Sequence, residues 1–454
     1  MIIKGKLKNY LKLTFTNKVT LFCLALSLIY FISGYFFNLE FVVSTLAIVV
    51  FIILPTQSAF CILFFLHNFL TSRIAWDIGF TITLVGFTII TLVKYIIGTK
   101  NKKYNLNLKA IICFSIALSI SLLASINHTL YNGAFLYLVY LPLIYLMFTM
   151  KSDLKIVQIV NYMLFGFILS NFMALICQIL PSYGYYYGYT RYQAFTDNPN
   201  YLGMRALFLT IFYFVLYFKK EYSLLKAILI YLFSTVVVFA TQSKTSIILL
   251  VLFTLVFIVL YIKQDFKNNI KNVLVFLIIA IILCVACSKL IIQIINRFIP
   301  DKSNLISSLL TGRDEIWLMY WTECVKNPIT ILFGNGLLSQ EVFIPSQNIT
   351  RTSHNFYLFL FYRFGLVGCI ALICGFYFLL KEISKPKTNF THSLPLIWYL
   401  LVSLVDNTFL CFNITFLPLA ILFMFNNKNQ SMQNVSNITS TIETHNFTQN
   451  KKDG

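Results

Sequence analysis

Charge is scarce in this chain: Asp, Glu, Lys and Arg make up 11 % of its 454 residues, against 59 % apolar ones. A soluble fold of that size needs far more polar cover, so a soluble multidomain enzyme is excluded. Acids are scarcer still, with 15 Asp plus Glu against 35 Lys plus Arg, and acid-rich metal sites are not expected. Seventeen Gly and ten Pro are too few for a linker-rich or fibrous chain. No internal repeat is present. The cysteines form no disulfide framework and no zinc site. Nine of the ten lie in or at the ends of apolar runs, and only Cys324 falls in a polar loop. The Cys284–Cys287 pair has no His or acid nearby and reads as helix packing.

What the chain does have is long apolar runs, at 19–37, 39–54, 58–71, 76–97, 108–126, 130–150, 156–180, 201–218, 224–240, 246–262, 272–292, 355–380, 393–408 and 411–426. Most have lengths that suit a bilayer, whose core takes roughly 17–25 helical residues, but the third and the last two are short, so twelve to fourteen spans are expected. A basic segment, 1–18, leads into a first run too long for a signal-peptide core and lacking a small-x-small exit, so an uncleaved first span is expected. Residues 19–426 form the membrane domain, and the Asn-, Ser- and Thr-rich 427–454 reads as a disordered cytoplasmic tail. The net charge of +20 sits in short clusters between the runs, which makes it a topology signal rather than a nucleic-acid surface. With the N-terminus inside, 24 of the 35 cations fall in cytoplasmic segments.

The other cations carry more information. Arg73, Arg191, Arg205, Lys244, Lys289, Arg297, Lys302, Arg313, Lys326, Arg351 and Arg363 lie in or just below the outer loops, and they include every arginine of the chain. A positive-inside bias is satisfied by Lys, whereas a planar fork of donors suits bidentate recognition of phosphate or carboxylate. An anion site at the outer face is therefore expected. Two outer loops are long, 181–200 and 293–354, and loops of that length between spans are usually functional. In the second, the spacing of Ile316, Met319, Tyr320 and Cys324 predicts a short amphipathic helix lying on the membrane.

Four patterns follow one another along this face: Arg191 before TDNPNYLG (196–203), ATQSKTS (240–246) at an outer helix end, TGRDEIW (311–317) with NPITILFGNG (327–336), and TSHNFYLFLFYRFGLVG (352–368). In this order they resemble the O-antigen ligase and polymerase superfamily, integral-membrane glycosyltransferases that use undecaprenyl-pyrophosphate-linked glycans as donors. The resemblance covers about residues 180–370. It departs at Lys244, where such proteins often carry an Arg after the Ser. It implies an all-α, polytopic transmembrane bundle of about 12–14 spans, GT-C-like, with a large extracytoplasmic loop. It also implies a place in the bacterial inner (plasma) membrane with the active site facing outward. The reaction expected is that of a polymerase, moving a growing glycan from one lipid diphosphate onto a sugar hydroxyl of the next lipid-linked unit. An O-antigen ligase with a lipid A core acceptor is the alternative, and a lipid-linked oligosaccharide flippase or other transporter the alternative of another class. The partners implied are the undecaprenyl-pyrophosphate-linked oligosaccharide, membrane lipid and a chain-length regulator protein, with no nucleic acid.

A diphosphate is already a good leaving group, so the site needs positive charge rather than an acid. The only adjacent acids in the outer loops, Asp314 and Glu315, point apart if helical. Arginines are the alternative to a metal, each well-placed donor contributing roughly 3–4 kcal/mol, and a metal-independent reaction without cofactor is expected. His354 and Arg191 are the expected catalytic residues. The Ser353-His354-Asn355 triplet matches the family signature, and a neutral imidazole can take the proton of the acceptor hydroxyl or orient the diphosphate. Arg205, Arg313, Arg351, Arg363, Lys244, Asn198, Asn200 and Asn355 are expected to bind diphosphate and glycan. Glu315, Glu323 and Asp197 are reserve bases. Arg363 would lie about 13 Å below His354 on a continuous helix, with a structural ion pair to Asp406 as its other reading. Tyrosines 183, 185, 186, 187, 189 and 192 fit sugar stacking and interfacial anchoring equally. Glycines 334, 336, 365 and 368 are expected to permit a turn and close helix approach.

Overall fold

The structure, a computed structural model, describes residues 17–32, 40–69, 78–129, 135–178, 191–194, 198–266, 269–271, 273–274, 292, 313–381, 390–405 and 416–425. Outside them lie most of the 272–292 run with Cys284 and Cys287, Arg73, the tyrosines from 183 to 189, Asp197, Arg297, Lys302, Asp406 and the tail 427–454.

Every other apolar run is a helix, because in lipid each backbone polar group must be satisfied within its own segment. In chain order these are α1 (Asn17–Ile32), α2 (Glu40–Ile53), α3 (Thr56–Phe69), α4 (Ile78–Lys100), α5 (Leu108–Ala124), α6 (Phe135–Thr149), α7 (Ile156–Gln178), α8 (Pro199–Phe218), α9 (Leu224–Thr241) and α10 (Lys244–Gln264). After α11 (Arg313–Cys324) and α12 (Pro328–Phe333) come two short strands, β1 (Val342–Ile344) and β2 (Ile349–Arg351). They are followed by α13 (Phe356–Lys381), α14 (Phe390–Val405) and α15 (Phe416–Phe425). The protein is an all-α polytopic bundle. Among the described residues seven helices, α4, α5, α7, α8, α9, α10 and α13, are long and apolar enough to cross a bilayer. Six further runs form helices of 10–16 described residues, and most of the fourteenth run, 272–292, lies outside the described residues.

Polar residues set the helix starts. Asn107, Asn198, Ser223 and Ser243 cap α5, α8, α9 and α10, each side chain accepting a backbone N–H of the first turn. Helix α8 is the centre of the bundle: 83 % of its span is buried, against 28 % for α5. It packs on α9, α10 and α14, while α5 lies along α13 and α3 along α7.

The outer segment from 313 differs from expectation in two respects. The predicted amphipathic helix is present as α11, but Ile316, Tyr320 and Cys324 do not face lipid. They pack on Val342, Ile344 and Tyr362 in a small core of their own. The apolar residues left exposed on these helices are Leu318 and Trp321 of α11, Val325 just after it, and Ile329, Leu332 and Phe333 of α12. The covering is supplied by an antiparallel β1–β2 hairpin, with Val342 opposite Arg351 and Ile344 opposite Ile349, an element the helical periodicity did not announce.

Candidate functional site

The expected site residues fall into two groups on the described structure. The first gathers where the 191–194 segment meets the start of α8 and the end of α9. Arg191 is buried; its Nε donates to the Thr241 carbonyl at 2.9 Å and its Nη2 to Asn200 Oδ1 at 2.8 Å. Asn198 caps α8 by accepting the Asn200 N–H at 2.9 Å. The ATQSKTS pattern is the α9–α10 corner: Gln242 turns left-handed at φ 50° and Ser243 opens α10, with Lys244 as its first residue. Gly203 admits this corner to α8, since a Cβ there would stand 2.7 Å from Ser246 Oγ and 2.9 Å from Thr241 Oγ1. Two of the sequence patterns, 196–203 and 240–246, are thus one packed unit bound by Arg191. Arg205, also buried, sits further along α8 and donates from Nη1 to the His67 carbonyl of α3 at 3.1 Å.

The second group lies between the hairpin and α13. Helix α13 runs unbroken from Phe356 through Arg363 and breaks at Gly365 (φ 59°, ψ −171°), two residues past that arginine. Gly334 (φ 74°) presses against the break, and the Asn335 N–H takes the Tyr362 carbonyl at 2.7 Å. Arg363, 0 % exposed, then turns to the segment after α12. Its Nη1 donates to the Ser339 carbonyl, to Ser339 Oγ at 2.9 Å and to the Gly336 carbonyl at 3.4 Å. Its guanidinium lies over the rings of Phe359 and Tyr362 at 5.3 and 5.4 Å. Its Nε and Nη2 have no hydrogen-bond partner among the described residues. A buried donor left unmade costs about 1–3 kcal/mol, which makes these two N–H groups the costliest feature of the Arg363 environment among the described residues.

His354 stands in the turn between β2 and α13, in the left-handed region at φ 45°. Ser353 Oγ closes the turn on the Asn355 carbonyl at 2.8 Å. Asn355 itself accepts the Tyr357 and Leu358 N–H groups at 2.9 and 3.0 Å and donates to the Leu404 carbonyl at 3.0 Å. It caps α13 and ties it to α14. Arg351 is exposed at the end of β2. Arg313 donates from Nη1 to the Val405 carbonyl, at the far end of α14. Helix α14 is the common neighbour of the two groups, for the Tyr399 ring meets Phe208 of α8 at 6.1 Å and Phe356 of α13 at 6.3 Å.

One residue of the second group was missed by the sequence patterns. Glu341, just before β1, lies within electrostatic reach of Arg363, His354 and Arg351. Burial pushes its carboxyl above the usual range, and those three groups only partly oppose it. The available signal was negative: it is the only carboxylate between Glu323 and Glu382. Of the reserve bases, Glu323 pairs with Lys326 at 3.5 Å on the outer side of α11 and Glu315 sits in that helix's first turn. Among the described residues no three His, Cys, Asp or Glu gather as a metal site.

Neither a curated protein nor a solved structure matches the chain. A family model described as O-antigen ligase matches residues 227–373, from α9 into α13. The matched stretch contains Lys244, Arg313, Glu341, Arg351, His354 and Arg363, and leaves Arg191, Asn198, Asn200 and Arg205 before it. With its helices of membrane-crossing length, the chain is a multi-pass membrane protein whose residues 227–373 are similar to the O-antigen ligase family.

Proposed function

We propose that the protein is a polymerase of lipid-linked oligosaccharide repeat units, working at the outer face of the bacterial inner membrane. The growing glycan moves from undecaprenyl pyrophosphate to a sugar hydroxyl of the next lipid-linked unit. The observation that carries this reading is Arg363: a fully buried guanidinium with two donors unpaired among the described residues, which lies, as His354 and Arg351 do, within electrostatic reach of Glu341, inside the stretch that matches the O-antigen ligase model. Such donors suit the oxygens of a departing diphosphate. The choice of polymerase over ligase rests on the sequence, on its fourteen apolar runs and on the weak resemblance outside about residues 180–370. A surface that reads a particular repeat unit is expected to leave the remaining sequence idiosyncratic.

Complementation of a deletion strain, with surface glycan run on a gel, tests the assignment. A single repeat unit on the lipid core in the deletion strain, restored to a ladder by the gene, supports a polymerase. Long lipid-linked chains never joined to core indicate a ligase, and inward-facing lipid-linked units indicate a flippase. Purified protein is expected to keep its activity in EDTA, since guanidinium groups rather than a divalent ion meet the leaving charge. Loss of turnover that magnesium restores would contradict this. Arg363→Lys is expected to lower turnover about 10²-fold, because an ammonium keeps the charge but not the fork that reaches Ser339 and a ligand together. Turnover within threefold of wild type, at equal membrane abundance, would assign Arg363 to packing alone.

A further inference from the structure

We infer that Glu341 is the catalytic base of this site, the carboxylate that takes the proton of the acceptor hydroxyl. The inference rests on the glycosyl-transfer reading above and assigns the proton that reading leaves between two roles for His354.

The placement of Glu341 follows from restraints on both sides of it. The preceding segment is drawn onto α13, where Arg363 holds Ser339 and Gly336 and the Tyr362 hydroxyl donates to the Gln340 carbonyl at 3.1 Å. The Gln340 N–H in turn donates to the Thr129 carbonyl beyond α5 at 2.8 Å. The residue that follows, Val342, is paired with Arg351, and His354 is three residues further along. Glu341 is therefore held between Gln340, tied to Tyr362, and Val342, paired with Arg351, and Arg363, His354 and Arg351 all lie within electrostatic reach of its carboxylate. Among the described residues no salt bridge engages its carboxylate.

That arrangement separates the two charges the reaction needs. The unpaired Nε and Nη2 of Arg363 are available to the anion that leaves, and the carboxylate to the proton. The acceptor oxygen bonds to the anomeric carbon as its proton passes to Glu341. The anomeric C–O bond to the diphosphate breaks, and its electron pair departs with the diphosphate. His354 is then left to orient the diphosphate. Burial raises the Glu341 carboxyl toward the range in which a base is effective near neutrality. The groups facing it are Arg351, His354, Arg363 and the Tyr320 phenol. The base form is the ionised one, so the rate falls as pH drops through this raised value.

The test uses the full chain, purified, with a lipid-diphosphate oligosaccharide donor. Glu341→Gln is expected to lower kcat about 10²–10⁴-fold, to change the donor KM less than threefold, and to remove the acidic limb of the pH–rate profile. Azide reaches the site already ionised and needs no base, so it is expected to restore donor turnover in Glu341→Ala and yield glycosyl azide. It is not expected to do so in Arg363→Ala. Wild-type kcat and an unchanged pH profile in Glu341→Gln would overturn the inference, as would an inactive Glu341→Ala that makes no glycosyl azide. If Glu341→Gln and Glu341→Ala do not fold, Glu341→Asp carries the test: a displaced acidic limb supports the base, and an unmoved one overturns it. A wild-type protein that consumes no such donor defeats the glycosyl-transfer reading itself, whereas an active wild type with an equally active Glu341→Gln defeats only this inference.

Discussion

Cells that depend on His354→Ala or Arg191→Ala protein make no polymeric glycan, while each variant reaches the membrane at the wild-type level. For His354 the fold is spared because its turn does not use the imidazole. Ser353 Oγ and the two backbone N–H groups taken by Asn355 hold the chain there, and alanine meets the same cost of about 1–2 kcal/mol for a left-handed residue. The imidazole is lost where Glu341, Arg351 and Arg363 converge. For Arg191 the argument is one of two bonds. Its removal orphans the Thr241 carbonyl and frees Asn200 Oδ1, at about 1–3 kcal/mol for a buried acceptor left unpaired. That loosens the α8–α9 contact without unfolding a bundle whose central helix is buried along most of its length. Arg191→Lys separates charge from geometry: the ammonium cannot bridge Thr241 and Asn200 in the same plane, and it too is expected to give no ladder. Immunoblots of membrane fractions beside glycan gels read both quantities. Normal ladders from His354→Ala and Arg191→Ala would remove the site assignment.

The helices were legible because a bilayer dictates the length and composition of what crosses it, and runs such as 108–126 and 224–240 leave no other solution. Less legible was how far each run extends as helix. Residues 39–54 and 58–71 are separated by only three positions, and among the described residues each yields a helix of 14 residues. Within the outer segment, periodicity found α11 but not what covers it. The faces of Ile316 and of Leu318 are both apolar, and only the three-dimensional position of Val342 and Ile344 decides which one is buried. Arginine stood out as a rare residue confined to one side of the chain, whereas Glu341 lies in LLSQEVF, a stretch with no motif. A carboxylate becomes a candidate base through its neighbours, and here they come from positions 351, 354 and 363, brought close by a strand register that no residue spacing encodes.

Gly334→Ala and Gly365→Ala each unfold the outer segment's seat on α13 and abolish activity with it. Both glycines sit at positive φ with ψ near 180°, −173° at Gly334 and −171° at Gly365, a region that is essentially glycine's alone and costs other residues about 1–3 kcal/mol. They also face each other. A Cβ on Gly334 would stand 2.6 Å from the Gly365 nitrogen and 2.8 Å from the Arg363 carbonyl oxygen, and one on Gly365 would come closer still to the Gly334 nitrogen. Neither obstacle is a flexible side chain, so the two backbones must part, adding about 1–3 kcal/mol of overpacking. What parts with them is the Asn335–Tyr362 hydrogen bond and, one turn away, the grip of Arg363 on Ser339 that holds Glu341 in place. The expected loss is therefore about 2–6 kcal/mol for either variant, read as a fall in thermal midpoint in detergent. The double variant discriminates between local strain and separation. If the backbones separate once to admit either methyl group, the second methyl enters space already opened, and the pair costs clearly less than the sum of the two singles. Single variants that melt within 1 °C of wild type and keep their activity would show that this contact does not hold the site.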